Sequence, residues 1–191
     1  MEGTSCYCDA GSAAAIRRML DSIPLGAVHL LGSGDMHYVS LFFLERIQEP
    51  FSLVCFDHHS DDKPTIFGDD VLSCGSWVRE AVRTLPQLSG KIWVGSPEHP
   101  CGLPADLAPE LPPALPVYVS VDLDVLSPDF VHTNWDQGEM TLDALCSDIE
   151  RLFSEYRVLG VDICGGINGA QGATAIDKEI NAAALKRLLE I

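Results

Sequence analysis

The chain has 191 residues, 47% of them hydrophobic, and a formal net charge of −16. That length fits one domain (1–191) with one sizeable core, and the composition excludes a disordered chain. The acidity excludes nucleic acid and anionic membrane as partners, because both demand a basic surface.

In chain order, Met1–Ser5 is acidic and small where a signal peptide is basic and then apolar. Ala13–Leu20 reads as a helix with Ser12 at its N-cap, and Gly26–Leu31 as a short apolar strand. Tyr38–Gln48 reads as a helix with an apolar surface; its Val39–Leu44 run is too short to cross a bilayer and suits a buried helix. Phe51–Phe56 is a strand, Gly75–Thr84 a helix, and Lys91–Val94 and Pro116–Val121 are strands. Leu142–Glu155 is an amphipathic helix, Arg157–Ile163 a strand, and Asp177–Leu189 the closing helix. Continuous apolar strands alternating with helices imply a mostly parallel sheet covered on both faces.

Two stretches are irregular. Gly95–Pro116 carries seven prolines, which forbid a long helix or a central strand, and is expected as a surface loop capping the site. Gly160–Gly172 is glycine-rich, but it lacks the spacing of a phosphate loop. Seven cysteines are scattered along the chain. Cys55, Cys146 and Cys164 sit in apolar stretches, where cysteine behaves as a small hydrophobe. Cys6-Tyr7-Cys8 is too tight a spacing for a zinc pair. The expectation is a reducing, cytoplasmic protein without disulfides.

Three segments place metal-type ligands just after a predicted strand, where parallel sheets open their ligand crevice. Asp57-His58-His59-Ser60-Asp61 follows Phe51–Phe56; in an extended backbone its residues 57, 59 and 61 face one side. Alone, such residues serve equally well as turn formers or caps. Ser120-Val121-Asp122-Leu123-Asp124 ends the next such strand, and two aspartates so close raise each other's pKa unless a cation lies between them. A pair of solvated loop aspartates is the bland alternative. Gly32-Ser33-Gly34-Asp35-Met36-His37 offers His37, which alone reads as a capping or core histidine. Together, His37, Asp57, His59, Asp61, Asp122 and Asp124 supply four carboxylates and two imidazoles, the makings of a two-metal cluster. Oxygen-rich ligation with some imidazole favours two divalent ions of the Mn²⁺ type over a thiolate zinc site.

This order of segments resembles the ureohydrolase family of arginase, agmatinase and formimidoylglutamase. The Gly32–His37 loop is similar to the family's G-G-D-H-S with one or two positions altered. Asp57–Asp61 matches D-A-H-x-D with His58 in place of alanine, and Ser120–Pro128 matches S-x-D-x-D-x-x-D-P with Ser127 in place of the last aspartate. The resemblance runs from about Leu30 onward and does not include the family's longer N-terminal portion. It implies an arginase-like, three-layer α/β/α fold with a mostly parallel sheet. It also implies a binuclear Mn²⁺ centre whose bridging hydroxide attacks a carbon–nitrogen centre.

Two departures fall where the family chooses its substrate. Cys74 stands where the resemblance puts a proton-shuttling histidine, and Gly165 stands where it puts the glutamate that pairs with a guanidinium. Cysteine moves a proton only when its pKa is tuned, and near cations at a helix start Cys74 is expected below the free thiol value. His132 and Asp136, with Trp135 and Glu139 nearby, are candidates to replace the shuttle or contact substrate; a solvated loop is the equal alternative. His58 reads as a supporting group or as facing away, and His99 as exposed. The expected function is a metal-dependent hydrolase of a non-peptide C–N bond in a small molecule other than arginine or agmatine. The alternative is an inactive or regulatory metal-binding relative, and either reading is compatible with a homo-oligomer.

Overall fold

The computed structural model describes residues 3–65, 71–167 and 169–191. Its elements are β1 (Tyr7–Cys8), α1 (Ala10–Leu20), β2 (Val28–Leu30), α2 (Val39–Leu44), β3 (Phe51–Phe56), β4 (Leu72–Ser73), α3 (Trp77–Thr84), β5 (Leu88–Val94), β6 (Val117–Asp122), α4 (Leu142–Glu155), β7 (Val158–Cys164) and α5 (Ala175–Leu189). Five strands make one sheet in the order β2-β7-β6-β3-β5, every neighbouring pair parallel.

Side-chain alternation along the strands splits the core into two layers. Phe51, Leu53 and Cys55 of β3 face α1, α2 and α3, packing with Ile16, Phe42, Phe43, Trp77 and Ala81. Val54 and Phe56 face the other way, toward Leu145, Ile149 and Leu152 of α4 and Ala184 and Leu188 of α5. With both faces covered, β3 and β6 are buried along their whole length, which is why they read as mostly apolar runs. The expected three-layer α/β/α arrangement with a mostly parallel sheet is therefore what the chain adopts.

β3 and α4 begin and end where the sequence places them. Elsewhere local chemistry moves the boundaries. α1 starts three residues early, because Asp9 rather than Ser12 is its cap: Asp9 Oδ1 accepts the Ser12 backbone N–H at 2.8 Å. α5 starts at Ala175 because Thr174 and Asp177 form a reciprocal capping box, so Asp177 is the third residue of the helix rather than its first. The helix expected over Tyr38–Gln48 is shorter, Val39–Leu44 with all six side chains buried, and is preceded by a 3₁₀ turn at Gly34–Met36. A second 3₁₀ turn, Cys74–Ser76, precedes α3.

Sequence reading does not find the antiparallel ribbon of β1 and β4, in which Tyr7 pairs with Ser73 and Cys8 with Leu72. Two-residue strands carry no periodicity to detect. The proline-rich loop does not cap the site. Leu107 and Leu111 anchor it in the α4-side core, and Arg151 holds the Pro104 and Ala105 carbonyls. His99, expected to be exposed, lies 3.0 Å from Glu110 Oε1 and ties that loop to itself. Among the described residues no helix is long and apolar enough to cross a membrane.

Candidate metal centre

The carboxyl ends of β2, β3 and β6 bring all six sequence-predicted candidate ligands to one place. His37 Nδ1 lies 3.1 Å from Asp57 Oδ2, 3.0 Å from Asp61 Oδ2 and 3.6 Å from Asp122 Oδ2. His59 Nδ1 lies 2.9 Å from Asp124 Oδ2 and 3.7 Å from Asp57 Oδ1. Asp57, Asp61, Asp122 and Asp124 are all buried and line a cleft of about 220 Å³, together with His59, Cys74 and Trp135.

The route by which D-x-H-x-D converges differs from the extended backbone expected. Asp61 turns into the left-handed region at φ +47°. The turn lets its carbonyl accept the backbone N–H groups of Val78 and Arg79 in the first turn of α3. Its carboxylate meanwhile takes the indole N–H of Trp77 at 2.7 Å. Asp57 Oδ1 accepts the His59 N–H at 2.6 Å, and Asp124 Oδ1 accepts the His58 N–H at 3.0 Å. His58 thus supports the cluster through its backbone, while its ring meets that of His59 edge to face at 5.1 Å.

Behind His37 runs a chain of buried hydrogen bonds. Ser120 Oγ donates to Asp162 Oδ1 at 2.6 Å, so at 2.9 Å it accepts from Nε2–H of His37. With the proton held on Nε2, Nδ1 can present its lone pair to the cleft, the tautomer a metal requires. Although three carboxylates approach Nδ1, it and Asp57 Oδ2 make no hydrogen bond of acceptable geometry. Close approach without hydrogen-bond alignment is how ligands disposed around a common ion look, and the residues present fit a hard or borderline divalent cation.

Electrostatics favour the same conclusion. Burial, followed by the charge of Asp61, pushes Asp57 well above the ordinary carboxylate range. Burial and then Asp124 push Asp122 up to about 7. Burial opposes a charged His37, yet Cys164, Asp57 and Asp61 around it outweigh that and hold its pKa well above the usual value. The hydrogen bond to Asp124 raises His59 against the effect of burial. Crowded buried carboxylates draw positive charge from whatever is nearby, and a divalent ion supplies it best.

Sequence reading passed over several participants. Cys164 donates to Asp122 Oδ2 at 3.1 Å, and Cys55, His37 and Asp57 bring their ligand atoms within 4.8 Å of one another. These cysteines sit in apolar runs and read as packing. Asp162 was the detectable one, a lone acid inside an apolar strand, fully buried with its pKa raised by burial. Asp35 is a rim hub whose carboxylate accepts from Ser5, Asn134, Trp135 and Gln171.

The candidates outside the cluster divide. Cys74 lines the cleft, and without a bound cation burial, then Cys6 and Asp61, push its thiol up to about 12. His132 does not reach the cleft; its Nδ1 pairs with Asp177 Oδ1 at 2.6 Å and its N–H with Asn181, fastening the loop to α5. Asp136 is exposed and also does not line the cleft, though its neighbour Trp135 does. At Gly165, φ is +94°, and a Cβ there would stand 2.3 Å from Asp122 Oδ1 and 2.6 Å from the Leu123 nitrogen. With the turn in this conformation, an acidic side chain has no room at that position.

No known family profile matches the chain. An uncharacterized protein of Thermotoga maritima is 33% identical over 145 residues, covering 72% of this chain. The chain spans a little over half of that relative, 57% of its length. Among solved structures, proclavaminate amidino hydrolase of Streptomyces clavuligerus is similar with a TM-score of 0.68 at 16% identity, over 93% of this chain and 68% of that one. Formimidoylglutamase of Bacillus subtilis is similar with a TM-score of 0.68 at 15% identity, over 94% and 66%. A hypothetical agmatinase of Burkholderia thailandensis gives 0.64 at 20% identity, over 96% and 66%. With its parallel five-stranded sheet between two helical layers, the chain has the arginase-like α/β fold of the ureohydrolases.

Proposed function

We propose that the protein is a metal-dependent hydrolase of a non-peptide C–N bond in a small molecule, with two divalent ions of the Mn²⁺ type held by His37, Asp57, His59, Asp61, Asp122 and Asp124. The observation that carries this reading is the convergence of those six side chains, with His37 Nδ1 facing three carboxylates outside hydrogen-bond geometry. His37 and Asp61 would serve one ion, His59 and Asp124 the other, with Asp57 and Asp122 shared between them. When bound, such ions supply Lewis acidity and a nucleophile at neutral pH.

The chain's own residues do the rest. Asp162 and Ser120 hold the His37 tautomer, and Trp77 orients Asp61. Cys74 stands at the cleft wall, where the resemblance puts the proton-shuttling histidine. No carboxylate stands at position 165 to receive a guanidinium, so arginine and agmatine are poor substrates. Cys74 and Gly165, in place of the family's histidine and glutamate, also favour a second reading, a metal-binding relative without turnover. In either case the partners are small molecules rather than nucleic acid or membrane, and a homo-oligomer is compatible with both.

The test is metal analysis after Mn²⁺ loading and desalting, followed by ammonia and urea release assays on guanidino, formimino, amide and acylamine compounds. About two ions per chain are expected, with at least one lost in Asp122→Ala. Unchanged metal content in that variant overturns the assignment. Full metal with no release from any compound leaves the second reading.

A further inference from the structure

Substrate charge can be read from what the cleft wall offers. Its described lining holds four carboxylates, Asp57, Asp61, Asp122 and Asp124, and every one belongs to the ligand set. Two divalent ions against those four charges leave a neutral floor, with both histidines neutral as ligands. Lys63 is the one basic residue in the described lining. Its backbone N–H is fixed to the Gly75 carbonyl at 3.0 Å. Lys63 is therefore the positive side chain of the described lining, which holds no carboxylate beyond the candidate metal ligands to receive a cationic substrate.

Trp135 forms a second part of the wall. Its indole N–H donates to Asp35 Oδ1 at 3.0 Å, and its ring stands edge to face with His59 at 5.7 Å. The Cβ absent at Gly34 would lie 3.0 Å from Trp135 Cδ1, so the indole fits closely against that turn. Yet 39% of the residue remains exposed at the cleft. A large apolar ring held by a buried acid and left uncovered is a platform for a flat or apolar group.

Building on the metal-site reading above, we propose that the substrate is uncharged at its reacting nitrogen group, anionic elsewhere, and flat or aromatic in between. In this arrangement Lys63 receives the anion and Trp135 the ring. Both are specificity residues, and neither takes part in bond breaking.

The test measures equilibrium binding of four probes to Mn²⁺-loaded protein: N-carbamoylphenylalanine, 2-phenylethylurea, 2-phenylethylguanidine and N-carbamoylglycine. The first should bind roughly 10-fold or more tightly than each of the others. Lys63→Gln should remove its advantage over 2-phenylethylurea while leaving the latter's affinity unchanged. Trp135→Ala should remove its advantage over N-carbamoylglycine, and Trp135→Phe should restore most of it. Guanidine binding as tight as the anionic probe overturns the inference. So does an anion preference that survives Lys63→Gln, or failure of every probe to bind. Metal content measured on the same samples separates the two readings: wild type without metal removes the site itself, whereas full metal without anion preference removes only this inference.

Discussion

Ser120 is a small residue with a large effect on the centre. Its hydroxyl has one proton, given to Asp162, and so receives the Nε2–H of His37. In Ser120→Ala that chain is cut and His37 loses its fixed orientation. Metal affinity should fall roughly 10- to 100-fold, as for other supporting partners of metal ligands, with the helix content in circular dichroism unchanged. Equal affinity in the variant and wild type would show that packing alone holds the ring. Gly165→Ala is expected to be more severe, because the new methyl meets Asp122 and the Leu123 backbone at a positive φ. A loss of about 2 kcal/mol or more in urea unfolding is expected, together with weaker metal binding. At this scale the candidate ligands stand out because each lies in a dense motif of acids and histidines. Ser120 and Asp162 do so only in part, since their roles depend on strand neighbours that pair across the sheet, Ser120 beside Asp162.

At the scale of elements, the cluster and α3 share Asp61, whose carbonyl caps the helix and whose carboxylate holds Trp77. Trp77→Phe keeps most of the buried ring but removes the indole N–H, leaving a buried carboxylate oxygen without its donor. That should cost about 1–3 kcal/mol, and metal affinity should fall with it, measured by denaturation and metal titration of one preparation. Stability lost without any change in metal affinity would separate the helix from the site. Long apolar strands and capped helices were legible because their periodicity is set by burial. The β1–β4 ribbon and the left-handed Asp61 were not, because they are fixed by contacts between distant segments, and the 3₁₀ turns are too short to carry a periodicity. The proline-rich loop misled for a related reason: its prolines forbid regular structure, but Leu107 and Leu111 decide where it packs.

For the whole molecule, the cluster makes folding sensitive to both pH and metal. Asp122 titrates near 7 against an ordinary value of 3.8, and Asp57 is also raised. A raised carboxylate pKa means the folded state holds its proton more firmly than the unfolded chain. The metal-free protein is therefore favoured below the ordinary value and loses stability as pH climbs through the raised one. Its melting temperature should be lower at pH 8 than at pH 5. Bound cations displace those protons, so Mn²⁺ should stabilise much more at pH 8 than at pH 5. Thermal melts at both pH values, with metal and with chelator, check this; equal metal stabilisation at the two would count against a carboxylate-rich site.

Gly165 also bears on how this protein could change over time. An acid installed there by one codon change would meet Asp122 and the Leu123 backbone unless the turn moved. Acquiring guanidine chemistry by that route would first require the turn after β7 to be re-laid, and each intermediate would pass through a weakened metal centre. Laboratory selection for arginine turnover should therefore yield changes in the surrounding loops before any at position 165.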